Sequence, residues 1–252
     1  MPRATGIRTD IRTSMNIRTS EHDVDTSQLT ALLQLSSPAL PIGGYSYSQG
    51  FEAAVDRELV HDEATACVWI REQLEQVVAQ CEAPVWTLLF AGWAEDDWQK
   101  LVYWNKWFHT SRESRELRQE TEQMGWSLVK LSTDLEWGQP EARDRLLALP
   151  TATLPAAHAY CAHALGINPI NGLAAYLFAW LENQVMAAIK TVPLGQMSGQ
   201  RILNQLRLRI PAVCSEALSR AAHEPPRIHT LAPQLAILSS RHETQYSRLF
   251  RS

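Results

Sequence analysis

Apolar residues in this chain return every three or four positions and hardly anywhere every two. That spacing builds helices and leaves no basis for a sheet core. Ile70, Leu74, Val77 and Cys81 keep the rhythm behind Asp62, a natural helix cap. Leu117, Thr121, Met124, Leu128 and Leu131 repeat it, as do Leu203, Leu206, Ile210, Val213 and Ala217, where Pro211 should kink or split the segment. Alternating runs rich in β-branched residues are missing. With 252 residues, 45% of them hydrophobic, the chain can bury a substantial core. The expectation is an all-α, bundle-like single domain from about residue 28 to 239.

The two ends read differently. In residues 1–27, Ile-Arg-Thr occurs at 7–9, 11–13 and 17–19, followed by Glu21, Asp23 and Asp25. So polar a repeat buries too little surface to offset its ordering entropy and is expected to be a disordered tail. Residues 240–252 instead crowd Arg241, Tyr246, Arg248, Leu249, Phe250 and Arg251 together. Such interface-type residues in a terminal segment suggest a tail that folds on a partner.

Composition narrows the function. A formal charge of −4 argues against general nucleic-acid binding, which needs a basic surface. Four dispersed cysteines, Cys67, Cys81, Cys161 and Cys214, fit reduced thiols in the cytosol. No export signal is apparent. The longest apolar stretch, residues 172–189, is interrupted by Glu182, Asn183 and Gln184, so no membrane span is expected.

One helix should run from an Asn168 cap and Pro169 to about Thr191. Leu173, Leu177, Trp180, Leu181 and Ala188 make one apolar stripe, and Phe178, Val185 and Ile189 another. A helix apolar on two sides is normally central. Yet Tyr176, Asn183 and Lys190 share a third stripe, and Glu182 sits in the second. Either an internal polar network fixes the register of this helix, or the groups line an interface or a polar passage.

Several motifs invite chemistry. Pro41-Ile-Gly-Gly-Tyr-Ser-Tyr-Ser-Gln-Gly50 lacks the lysine and spacing of a phosphate loop and reads as a shaped turn feeding a helix near Ser48. His158, Cys161 and His163 carry metal-binding atoms. At about 100° per residue, however, His163 points away from the other two, so three ligands cannot converge from that helix. No nucleophile elbow or zinc-protease motif occurs. Arg112/Glu116 and Arg118/Glu122 have the spacing of solvated helical ion pairs. Eight of the nine tryptophans fall between Trp69 and Trp137, as bulky core filling would place them.

Four stretches then converge on one family. They are Leu33-Gln-Leu-Ser-Ser-Pro-Ala-Leu-Pro-Ile-Gly-Gly-Tyr-Ser-Tyr-Ser-Gln-Gly-Phe-Glu52, Ser111-Arg-Glu-Ser-Arg-Glu-Leu-Arg118, residues 185–200 with Lys190-Thr-Val-Pro-Leu-Gly-Gln196, and Ser240-Arg-His-Glu-Thr-Gln-Tyr-Ser-Arg-Leu-Phe-Arg-Ser252. In this order they resemble UreF, the urease accessory protein, from roughly Leu29 onward. The resemblance implies a non-enzymatic, cytoplasmic, usually dimeric helical protein. It would bridge UreD (also called UreH) and the nickel-carrying GTPase UreG, and the assembly would act on urease apoprotein. It further implies that Glu52 and Lys190 occupy positions that meet UreG or control activation. Residues 241–251, including Arg241, His242, Glu243, Gln245, Tyr246, Arg248, Leu249, Phe250 and Arg251, match the segment that orders against UreD. It implies no bound metal or cofactor, and gives the Ile-Arg-Thr repeat no role. The rival reading is a helical enzyme with a polar pocket around Glu182, Asn183 and Lys190.

Overall fold

The computed structural model describes residues 25–252. The Ile-Arg-Thr repeat lies outside the described residues, and within them every regular element is helical. Asp25, Thr26 and Ser27, placed in the tail by composition, instead open helix α1 (Thr26–Leu35), with the Asp25 carboxylate accepting from the Ser27 amide at 2.9 Å.

A short 3₁₀ turn (Gly44–Ser46) and α2 (Phe51–Asp56) follow; Gly43 and Gly50 both take positive φ, which their lack of a Cβ permits. Helix α3 (Glu63–Glu72) starts at Asp62, whose side chain and Thr65 cap one another in a reciprocal box. It passes without a break into a π-helical stretch (Gln73–Glu82) and then α4 (Ala83–Ala94). Pro84 accounts for where the π winding ends. Its nitrogen cannot donate to the Gln80 carbonyl one α-turn back, and that carbonyl accepts from the His229 amide at 3.0 Å instead. On this stretch Leu74, Val78 and Cys81 are buried at helical spacing together with Ala79, while Val77, expected on the buried face, is only half-buried.

Helices α5 (Trp98–Ser111), α6 (Arg115–Asp134), α7 (Pro140–Ala148) and α8 (Leu154–Ala164) come next. From Pro155 to Ala162 every residue of α8 is buried, because it is sandwiched between α4 and α6. Its alanines allow that close approach. Asn105 on α5 secures the loop before α8: its amide donates to the Pro150 and Thr151 carbonyls, and its oxygen accepts from the Thr153 amide and hydroxyl.

Helix α9 (Pro169–Thr191) runs within the expected limits and touches α1, α2, α3, α4, α8, α10 and α11. The split at Pro211 takes the form of α10 (Gln196–Leu206), a 3₁₀ turn (Arg207–Arg209) and α11 (Ile210–Ala221). The last helix, α12 (Pro233–His242), continues past residue 240, so the expected domain boundary falls inside it. Leu235, Leu238, Ser239 and His242 follow helical spacing and are its buried residues.

The expected ion pairs Arg112/Glu116 and Arg118/Glu122 do not form. The helix breaks between Ser111 and Arg115, where Ser114 caps α6, so Arg112 and Glu116 do not share a helix. Arg112 turns inward over the Phe108 ring toward Glu82, Arg118 donates to the Arg112 carbonyl, and Glu122 meets His109 at 2.5 Å. Of the tryptophans in the expected core cluster, Trp69, Trp86, Trp93 and Trp137 are buried, whereas Trp126 is exposed.

Gly125 marks the tightest passage between α6 and the start of α8. A Cβ there would lie 2.1 Å from the Ala152 carbonyl oxygen and 2.7 Å from the Thr153 carbonyl carbon. Both obstacles are backbone, so neither can swing aside. Gly125→Ala is expected to destabilise by about 1–3 kcal/mol or more, read as a lowered urea midpoint; an unchanged midpoint would refute this packing.

Candidate functional site

The densest polar cluster gathers where α2, α6 and α12 meet the end of the chain. Glu116 and Glu120 sit one turn apart on α6, and Glu52 lies in the first turn of α2; all three are buried. Each finds its donors largely in residues 242–252. Glu52 accepts from the Leu249 amide at 2.7 Å and the Phe250 amide at 2.9 Å. Glu116 takes the Arg248 guanidinium at 2.7 Å, and Glu120 takes the Ser252 hydroxyl at 2.8 Å and the Gln49 side-chain amide at 2.7 Å. His242, wholly buried, sets one ring nitrogen 2.7 Å from Glu116 and the other 3.2 Å from Glu52. An imidazolium can donate to both carboxylates at once, which a neutral ring cannot. Backbone bonds complete the seat: the Arg251 amide donates to the Ser46 carbonyl at 2.8 Å, and the Ser48 amide to the Ser252 oxygen at 2.9 Å.

The expected site residues are therefore divided by burial. His242, Phe250 and Glu52 face inward, and Glu52, at 7% exposure, has its oxygens engaged by the tail. Its place in the fold is beneath the tail. Arg241, Tyr246, Leu249 and Arg251 are exposed, as is part of Arg248. Glu243 reaches across to accept from the Arg115 amide, and the Gln245 backbone closes a turn on His242. The periodicity of α6 held a signal for the two missed glutamates. Glu116 and Glu120 stand four apart in line with Met124, on the side of α6 that is buried.

Lys190 ends α9 beside this cluster. Its ammonium lies 3.3 Å from the Tyr45 carbonyl, 5.7 Å from the centre of the Tyr45 ring and 5.3 Å from that of Phe250. A cation in the last turn also complements the helix dipole. Asn183, one stripe position back, donates to the Tyr47 carbonyl at 2.9 Å, and Tyr176 donates to the buried Glu82. The polar stripe of α9 is thus divided. Tyr176 and Asn183 fix α9 internally, while Lys190 reaches the surface. Together with Glu182 they also line a cavity of about 210 Å³ under residues 36–45.

His158 and Cys161 are buried in α8 while His163 is exposed, and among the described residues no three His, Cys, Asp or Glu side chains are grouped to hold a metal ion. Trp86 donates its indole N–H to His158 Nδ1 at 3.2 Å. No helix among the described residues is long and apolar enough to cross a membrane.

Fold and site together describe a protein, helical in its described residues, in which the buried Glu52, Glu116 and Glu120 seat its own C-terminal segment. A family model described as UreF matches residues 60–207. A urease accessory protein UreF of Bordetella parapertussis is 59% identical over 221 residues, covering 87% of this chain and all of that one. A UreF of Cupriavidus metallidurans is 56% identical over 225 residues, covering 89% and 98%. A bifunctional urease accessory protein UreEF of Bordetella bronchiseptica is 60% identical over 230 residues, of which this chain spans only 53%. The chain belongs to the UreF family: it is an accessory protein and not an enzyme. The pocket around Glu182, Asn183 and Lys190 exists, but the enzymatic reading of it is set aside by that membership.

Burial pushes the Glu120 carboxyl up to about 7, with Glu82 adding to the rise and the Gln49 and Ser252 hydrogen bonds opposing it. Between its ordinary 4.5 and about 7, the folded chain holds a proton there that the unfolded chain releases. Stability from this group therefore falls as pH rises through that window and levels off above it. His158, held down to about 3 by burial, acts oppositely: stability is lost as pH falls from 6.5 toward 3. Glu120→Gln should gain on the parent protein as pH rises from 4.5 past 7, measured as the difference in urea midpoint. A difference that stays flat would mean Glu120 ionises in the fold as it does in the free chain.

Proposed function

We propose that this protein is an adaptor and chaperone in urease maturation. It joins the accessory protein UreD (UreH) to the GTPase UreG, so that nickel is inserted into urease apoprotein. In this reading it works in the cytoplasm as a homodimer. Nickel is the cargo of the assembly, and UreF holds the assembly together.

The observation that carries the reading is the presentation of residues 243–252. Glu52 pins their backbone at Leu249 and Phe250, Glu116 and Glu120 hold the Arg248 and Ser252 side chains, and Tyr246 and Leu249 stand out in solvent. Exposed large apolar side chains on an already ordered segment lower the ordering cost of association. Tyrosine and arginine are also the residue types that dominate binding energy at interfaces. We assign this face to UreD. Lys190 is assigned to UreG, on the exposed corner it forms with Tyr45. To control a GTPase, an adaptor must bind its conformations with different affinity. The UreG surface that meets Lys190 should therefore be one that changes with nucleotide or nickel.

Two variants separate the partners. Tyr246→Ala with Leu249→Ala removes exposed side chains only, so the melting temperature should hold while co-purification with UreD is lost. Lys190→Ala should also melt normally, since it forfeits mainly a surface contact and a dipole interaction of about 0.3–1 kcal/mol. It should retain UreD, yet lower urease maturation in cells through altered UreG coupling. UreD capture by the double variant would sink the first assignment. Normal maturation with Lys190→Ala would sink the second.

Truncation is a less selective test. Removing residues 241–252 strips donors from three buried carboxylates, so it is expected to lower the melting temperature by several degrees as well as to abolish UreD binding. A truncated chain that melts like the parent would show that the carboxylates find other partners.

A further inference from the structure

The cavity beneath residues 36–45 has a floor and walls of different chemistry. Leu35, Leu40, Ile42, Met124, Leu154 and Met186 make its sides largely apolar. The less buried Gln49, Glu182, Asn183 and Lys190 line it too, and its buried polar groups are Glu82, Glu120, His158 and Tyr176. Three of these four are answered within the protein. Tyr176 donates to Glu82, Arg112 lies 3.7 Å from the same carboxylate, and Glu120 accepts from Gln49 and Ser252.

His158 is the exception. Only 3% exposed, it accepts the Trp86 indole N–H on Nδ1. Indole nitrogen can only donate, so the neutral imidazole must carry its own hydrogen on Nε2. That Nε2 has no hydrogen-bond partner in the protein. A buried donor without an acceptor is among the rarer features of folded chains and calls for a specific explanation.

We infer that this cavity is a binding site for a small uncharged ligand that offers one carbonyl or hydroxyl oxygen to His158 Nε2–H on an otherwise apolar body. Each part of the description excludes an alternative. A metal ion needs a lone pair, and the Trp86 bond leaves Nε2 without one. An ammonium-type cation has no acceptor for the N–H. An anion would have to approach the buried Glu82 carboxylate, while Lys190, the cation of the lining, is held at the Tyr45 carbonyl. A wholly apolar molecule leaves the N–H unanswered. At about 210 Å³ the cavity is smaller than the roughly 300–1,000 Å³ pockets that take drug-sized molecules, so the ligand is of fragment size. The site goes beyond the adaptor reading and does not depend on it.

The test uses the full chain with ¹⁵N-labelled histidine and four probes of one shape: benzamide, benzoate, benzylammonium and toluene. Benzamide should bind saturably and move the His158 Nε2–H resonance, with each of the other three at least about ten-fold weaker, the value of one hydrogen bond. Ala179→Leu, which fills the cavity from α9, should abolish benzamide binding. His158→Phe should erase the preference of benzamide over toluene. Should that variant fail to fold, the probe series and Ala179→Leu decide alone. The inference is overturned if benzamide does not bind and only water reaches Nε2. It is equally overturned if charged or apolar probes match benzamide, or if Ala179→Leu leaves binding intact.

Discussion

Glu52, Glu116 and Glu120 lie where water barely reaches them, and a buried carboxylate without donors is costly enough to organise whatever surrounds it. The donors come from far along the sequence: the His242 ring, the Arg248 guanidinium, the Leu249 and Phe250 amides and the Ser252 hydroxyl. A segment that composition alone would leave loose is thereby fixed residue by residue. Its inward groups satisfy the acids, and its outward groups become a surface. Stability and presentation arise from the same bonds, so the segment serves both as part of the core and as the most conspicuous exposed feature.

A second constraint acts through the backbone. Pro84 interrupts a helical run that extends from Glu63 to Ala94, and the chain answers by widening instead of breaking. The result places Glu82 and Cys81 against Arg112 and lets the Gln80 carbonyl tie down the His229 strand of loop. Helix α9 then packs beside this irregular run, with Tyr176 donating to Glu82. The polar stripe of α9 thus links the widened helix, through Tyr176, to the turn at Tyr45–Tyr47, through Asn183 and Lys190. The turn in turn bonds to the end of the chain. Membership of the UreF family sets this linkage in an accessory protein and not around a reacting substrate.

The helices themselves were legible because their information is local. Asp62, Asn168 and Pro169 mark helix starts by side-chain geometry that depends on neighbours within one turn, and Pro211 splits its segment for a reason equally local. The two-sided apolar pattern of α9 announced a central helix, and it touches seven others. The resemblance of four motifs pointed to the family that the comparisons then established. The choice between Val77 and Val78 after Leu74 was not legible, since a 3.6-residue period falls between them and only packing puts Val78 in the core.

What the sequence determined by itself is the set of short-range matters: helical class, most caps and breaks, the central helix, the turn at Pro41–Gly50, and the family. The tertiary structure alone decided which charges are solvated. Arg112 and Glu116 had the spacing of a surface pair, yet Ser114 ends the helical phase between them, and each found a partner far away in the chain. Glu52 gave no local sign of lying under the tail, because its donors stand some 190 positions later. Helix formation is governed by neighbours three and four residues away, whereas the fate of a buried charge is governed by whatever the completed fold brings within 3 Å.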